Sequence, residues 1–273
     1  MPSGNYRAGM RIVGGGMEAV TEVGYRRARV GGGSEAARLP VGRLRVDRLP
    51  TGCDAVLVAG DLQGVAPSPW GGPPVLLGVA LADFLTVWAQ EGSAPMPERV
   101  GVVLAGDLYA APAADRRGAT GAVRDVWWAF AAAGCPFVVG VAGNHDEVST
   151  ADLAEAGPHV VLLDGAHVDV GGVRFAGVGR IIGDPKRPGR RAEEAQTALV
   201  DRVLGAGPDV LILHEGPRGP APTQPGRAET AARIRAAPPA LTICGHVHWP
   251  VPVAPAPGGH TLNTDARAIL LTV

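Results

Sequence analysis

Five apolar, β-branched runs limit what this chain can fold into: residues 55–59, 100–105, 137–142, 210–213 and 241–244. None alternates polar with apolar residues, so each reads as a strand covered on both faces. Each run breaks at once into a short polar element. In order these are Gly60-Asp61-Leu62-Gln63-Gly64, Gly106-Asp107-Leu108-Tyr109, Gly143-Asn144-His145-Asp146, His214, and Gly245-His246-Val247-His248. Open α/β sheets assemble their sites at strand ends, so Asp, Asn, Gln and His are expected to meet at one edge.

Helices are expected at 75–90, 121–133, 191–204 and 229–236, alternating with the strands, and further strands at 160–163 and 173–178. Residues 42–49 alternate like a half-exposed strand. Residues 1–50 therefore read as an N-terminal extension, an edge hairpin plus a lead-in strand packed on the main domain of 51–273, with no function assigned. Residues 261–263 and 268–273 have the look of a closing hairpin at the sheet's edge. The 25 prolines and 40 glycines fall mainly between elements, as at 67–74, 183–189, 216–226 and 250–259. Those loops lie near the motif-bearing strand ends, where they shape access.

A length of 273 residues leaves one or two domains open. The motifs decide for one, because they interleave with the strands from 60 to 248 and no cut leaves a complete site. At 46% hydrophobic and 19% charged residues the chain is globular. A net charge of −1 gives no reason to expect general nucleic-acid or membrane-surface binding. Cys53, Cys135 and Cys244 are odd in number and widely spaced beside apolar runs, as reduced core thiols are. Reduced thiols make a cytoplasmic location the expectation, and residues 1–16 lack the apolar stretch of a signal segment. The run 75–89 is too short to span a bilayer and carries Asp83.

Chemically, the set offers carboxylates at Asp61 and Asp107, imidazoles at His214, His246 and His248, and carboxamides at Asn144 and Gln63. That suffices for two divalent cations sharing one carboxylate, from a donor set suited to Mn²⁺, Zn²⁺ or Fe. Two such ions about 3.5–4 Å apart acidify a bridging water and clamp both oxygens of an in-line displacement at phosphorus. In an extended segment His246 and His248 would point to the same side and serve one ion each. Gly245 would allow close approach without a Cβ. Adjacent side chains diverge, so Asn144 can bind metal while His145 faces substrate as the general acid, its tautomer fixed by Asp146.

The order and spacing of these motifs resemble the calcineurin-like metallophosphoesterase superfamily, with its Asp-x-His, Gly-Asp, Gly-Asn-His-Asp/Glu, lone His and Gly-His-x-His. The resemblance covers residues from about 54 to 273. It implies an α/β, four-layer fold: a central two-sheet β-sandwich flanked by helices. It gives the first ion Asp61, Gln63, bridging Asp107 and His248, and the second Asp107, Asn144, His214 and His246. The implied activity is dimetal-dependent phosphohydrolysis, with metal-bridging hydroxide attacking the ester and His145 and Asp146 as the catalytic pair. A small phosphoester is the expected substrate, with a slight lean to a diester or nucleotide. Gln63 stands where the family has His, a weaker and harder donor. That predicts a low-affinity first site and Mn²⁺ as the metal, ahead of Fe, Zn or Mg. The alternatives are a catalytically impaired interaction module of the same fold and a protein phosphatase. The sequence specifies no oligomeric state.

The remaining polar residues carry less. His159, His167 and His260 read as surface or packing residues, and Trp127 and Trp128 with Phe130 as helix-packing groups. Lys186, Arg187, Arg190 and Arg191 read as a solvated loop. Arg116, Arg117, Arg180 and Arg218 are the candidates for gripping a phosphate.

Overall fold

The run at 55–59 has no polar face, and the computed structural model, which describes residues 9–14 and 16–273, gives the reason. Val56 and Val58 point into one core while Ala55, Leu57 and Ala59 point into another. The reading of residues 1–16 as free of a signal segment lies, for 1–8 and 15, outside the described residues.

In chain order the first half runs β1 (Glu18–Ala28), β2 (Ser34–Arg45), β3 (Ala55–Gly60), β4 (Val65–Ala66), β5 (Val75–Leu76), α1 (Leu77–Gln90), β6 (Val100–Leu104) and β7 (Gly121–Ala122). Then come α2 (Arg124–Ala132), β8 (Val138–Gly140), β9 (Asp146–Glu147), α3 (Thr150–Leu153) and β10 (Val160–Leu162). The second half runs β11 (Ala166–Val170), β12 (Val173–Val178), β13 (Ile181–Ile182), β14 (Arg190–Arg191), α4 (Glu193–Gly205) and β15 (Val210–Glu215). It closes with α5 (Ala228–Ala236), β16 (Leu241–Gly245), β17 (Val253–Ala256), β18 (Gly259–Asn263) and β19 (Arg267–Thr272).

Nine strands form one sheet in the order β10-β8-β6-β3-β19-β2-β1-β4-β5, and six form another, β11-β12-β15-β16-β18-β17. Within the first, β3, β6, β8 and β10 are parallel. Within the second, β12, β15, β16 and β18 are parallel. Alternate residues of β3, β6 and β19 meet those of β12, β15, β16 and β18 in one shared apolar core built around Phe137 and Phe175. The opposite face of the larger sheet is covered by α1 and α2 through Leu81, Leu85, Trp127 and Phe130. The opposite face of the smaller sheet is covered by α4 and α5 through Val200, Val203 and Ile234. The fold is α/β, and double-sided burial explains the continuous apolar runs. Each fully buried Leu or Val contributes about 1.5–3 kcal/mol.

Three sequence expectations are corrected. Residues 261–263 and 268–273 form no edge hairpin: β18 lies inside the smaller sheet and β19 lies between β3 and β2 in the larger one. The residues of β19 show why, since Ala268 and Leu270 enter one core and Ile269 and Leu271 the other, a central-strand pattern. The strand expected at 42–49 is the longer β2, paired in parallel with β19, so the N-terminal hairpin is built into the sheet. Residues 75–76 and 121–122 are short strands preceding α1 and α2. All three cysteines are free thiols, and burial pushes those of Cys135 and Cys244 up to about 12. Among the described residues no helix is long and apolar enough to cross a membrane.

Candidate metal centre

Three candidate ligands leave their strands through the left-handed region: Asp61 at φ 52°, Asp107 at 55° and His246 at 68°. Such conformations cost non-glycine residues of order 1–3 kcal/mol and gather at functional sites. Glycines make room for them. A Cβ on Gly143 would lie 2.0 Å from Asp107 Oδ1, and one on Gly245 would lie 2.1 Å from Asp61 Oδ2.

Asp107 follows β6, His214 is the last residue but one of β15 and His246 follows β16. Ligand atoms of these three lie within 4.8 Å of one another, close enough to hold a metal ion together. His214 is fully buried. Its Nδ1 is 2.9 Å from the Ala105 carbonyl oxygen, and its Nε2 is 3.2 Å from Asn144 Oδ1 and 3.4 Å from Asp107 Oδ1. Burial lowers the affinity of His214 for a proton, but Asp107, Asp61 and the Ala105 carbonyl outweigh it and raise its pKa to about 10. Burial pushes the Asp107 carboxyl up, yet the charge and hydrogen bond of His214 hold it below the usual range. The His246 ring is tilted against that of His214 at 5.1 Å, and burial followed by the His214 charge depresses it to about 4.

Asp146 does not orient the His145 ring, which corrects one expectation. Its Oδ2 accepts the backbone N–H groups of Asp107 and Gly143, and its Oδ1 that of Leu108, at 2.7, 2.8 and 2.7 Å. Two successive side chains diverge here, so the carboxylate turns under the loops while the imidazole turns outward. Asp146 thereby ties the loop after β6 to the loop after β8. Burial, then the Asp107 charge, raise its pKa. His145 lines the cavity; its backbone N–H donates to Asp107 Oδ1 at 2.9 Å, and its Nδ1 is 3.5 Å from Thr120 Oγ1.

On the other side of Asp107, Gln63 Nε2 donates to Asp107 Oδ2 at 2.9 Å. Asp61 Oδ2 accepts the His246 N–H at 2.9 Å. Burial, opposed by His214 and reinforced by Asp265 and Asp107, holds the Asp61 carboxyl well above its ordinary value. His248 does not reach the Asp107–His214–His246 cluster. Its ring is exposed, with Nε2 3.3 Å from Arg267 Nη2 and Nδ1 3.9 Å from Asp265 Oδ2. The extended geometry expected for His246–His248 is absent because β16 ends at Gly245 and His246 turns left-handed. Period-two alternation fails across such a turn.

The cluster floors a cavity of about 440 Å³ lined by Asp61, Gln63, Asp107, His145, His246 and Asp265. Its outer wall includes Tyr25, Arg27 and Glu35 of the N-terminal hairpin, with Tyr109, Arg116 and Arg117. Arg180 and Arg218 are not among its lining residues. Sequence reasoning missed Tyr25, Arg27 and Asp265, whose approach depends on strand pairing between distant segments. Of the other basic residues, Arg191 pairs with Asp164 and hydrogen-bonds Gln196, a structural role. Trp127 is buried in the core, and Trp128 Nε1 donates to the Asp152 carbonyl at 3.3 Å.

No protein-family model matches the chain, and no curated protein matches it in sequence. Among solved structures, the crystal structure of TT1561 of Thermus thermophilus is similar, with a TM-score of 0.51 at 14% identity over 78% of this chain and 90% of that one. A second crystal structure gives a TM-score of 0.51 at 14% identity over 79% and 90%. At this identity the likeness is one of fold, and most of this chain shares that architecture with the two proteins.

Proposed function

We propose that the chain is a metal-dependent phosphoesterase of the calcineurin-like metallophosphoesterase type, acting on a small phosphoester. The convergence of Asp107, His214 and His246 within 4.8 Å, beside His145 at the floor of one cavity, carries this reading. Imidazole with carboxylate suits Mn²⁺, Zn²⁺ or Fe, and Asn144 Oδ1 beside His214 Nε2 extends the set. Asp107, Asn144, His214 and His246 would hold one ion. By the resemblance Asp61, Gln63, Asp107 and His248 would hold the other, with His248 having to turn its ring away from Arg267 to do so. When bound, two divalent cations supply the charge that acidifies water and neutralises phosphoryl oxygens.

The chain's own residues do the rest. His145 faces the cavity and donates a proton to the departing ester oxygen. The Ala105 carbonyl holds His214 Nδ1–H, which leaves Nε2 as its donor atom. Asp146 fixes the two loops bearing Asp107 and Asn144. A cavity of about 440 Å³ suits a small ester rather than a folded phosphoprotein. Arg27, Arg116 and Arg117 on its outer wall would meet the anionic remainder of the substrate.

The test is hydrolysis of an aryl phosphate and a bis-aryl phosphodiester with Mn²⁺ and with EDTA. Turnover with either ester should require the metal. Absence of Mn²⁺-dependent turnover on both would end the reading and leave the interaction-module alternative.

A further inference from the structure

Gln63 is the position where this chain departs from the motifs of the family it resembles, and the fold places an unexpected carboxylate in the same cavity. Asp265 lies in the short link between β18 and β19. Its backbone bridges to Gly60, the residue before Asp61. The Asp265 side chain is 18% exposed and lines the same cavity as Asp61, Gln63 and Asp107. Its Oδ2 is 3.9 Å from His248 Nδ1. Asp265 therefore adjoins both Asp61 and His248, two of the residues that the resemblance gives to the first ion.

Three carboxylates, Asp61, Asp107 and Asp265, face one cavity. The positive groups that act on them are His214 for Asp61 and Asp107, and His248 and Arg267 for Asp265. Asp265 and Asp107 both raise the Asp61 carboxyl, so negative charge gathers on this side of the cavity, and partly buried like charges favour an added counter-charge. A divalent cation is such a charge, and a carboxylate is a stronger ligand for it than an amide.

We propose that Asp265 is an additional oxygen ligand of the first ion and supplies the donor strength that Gln63 lacks. The proposal rests on the dimetal reading above. Exchange of an imidazole for a carboxylate makes the site harder and more anionic, which shifts its preference toward Mn²⁺ or Mg²⁺.

Calorimetric Mn²⁺ titration of the metal-free full chain tests this, with Mn²⁺ electron paramagnetic resonance as the second readout. Wild type should bind two ions. Asp265→Asn should weaken the weaker site by about tenfold or more and leave the tighter one unchanged. Gln63→His added to Asp265→Asn should restore the second ion. The amide variant relieves crowding of charge and keeps side-chain shape, and Asp265→Ser serves the same comparison should it misfold. Equal affinity at both sites in wild type and in the Asp265 variants overturns the inference; wild-type Mn²⁺-dependent hydrolysis would then leave the phosphoesterase reading standing. A wild type that never takes a second ion overturns the inference and the dimetal reading together.

Discussion

Asp107 Oδ1 and His214 Nε2 stand 3.4 Å apart, inside the protein, with His214 Nδ1 2.9 Å from the Ala105 carbonyl oxygen. A carbonyl only accepts, so Nδ1 carries a proton and Nε2 is the atom turned to Asp107. In the metal-free protein His214 is protonated at neutral pH and forms an ion pair with Asp107. A cation binding there must displace the Nε2 proton.

Metal uptake should therefore release protons. The pKa of His214 is raised to about 10, so between pH 7 and about 9 one proton leaves per ion at this site. Apparent Mn²⁺ affinity should climb about tenfold per pH unit over that window. Titration calorimetry in buffers of differing ionisation enthalpy measures the proton count, and a pH-independent affinity would contradict the assignment.

The same ion pair stabilises the metal-free fold with a definite sign. His214 is raised from 6.5 to about 10, so its contribution is complete below about pH 6.5 and fades as pH rises toward about 10. Thermal melts in EDTA should show Tm falling over that range. His214→Gln should flatten the slope.

On the proposed mechanism His145→Ala should lower kcat by about 10²–10⁴-fold with metal content unchanged, since the imidazole would move a proton and hold no metal. The loss should shrink for an aryl ester whose leaving group needs no proton. Equal losses for good and poor leaving groups would remove His145 from the acid role.

Asp146 accepts three backbone N–H groups, and charged acceptors of this kind contribute about 1.5–3 kcal/mol each. Asp146→Ala should cost several kcal/mol in urea unfolding, near the roughly 3–5 kcal/mol of a broken buried charge interaction. Asp146→Asn should lose stability and activity together without altering the shape of the pH–rate profile. A changed profile would return Asp146 to a proton-transfer role.

Arg27 reaches the cavity from the N-terminal hairpin and pairs with Glu35 at 2.8 Å. Arg27→Ala should raise KM by roughly tenfold, the loss of one charge-assisted contact, with kcat little changed. A matched fall in kcat at constant KM would place Arg27 nearer the reacting atoms.

The apolar runs disclose the layers by themselves, because burial on two faces forbids alternation. Asp107, His214 and His246 were legible for a related reason: each sits directly after such a run, and parallel strands carry their ends to one edge. Local backbone geometry was not legible. The left-handed turn at His246 cancels the alternation on which the pairing with His248 was argued, and nothing in Gly-His-Val-His announces it. Asp146 deceived by adjacency to His145. Tyr25, Arg27 and Asp265 were hidden because their positions come from β1, β2 and β19 pairing across most of the chain's length, which no short motif encodes.

The link from β18 to β19 passes between the sheets in residues 264–266, at the rim of the cavity. One covalent step thus joins the two halves of the sandwich where Asp61, Asp107 and His246 meet. Neither sheet can slide past its neighbour without dragging Asp265 from Gly60 and prising apart the aspartates contributed by the larger sheet from the histidines contributed by the smaller. Opening the chain there by circular permutation should leave the layers stacked while the Asp107–His214–His246 cluster disperses, so that metal uptake becomes a gauge of how the sheets are seated.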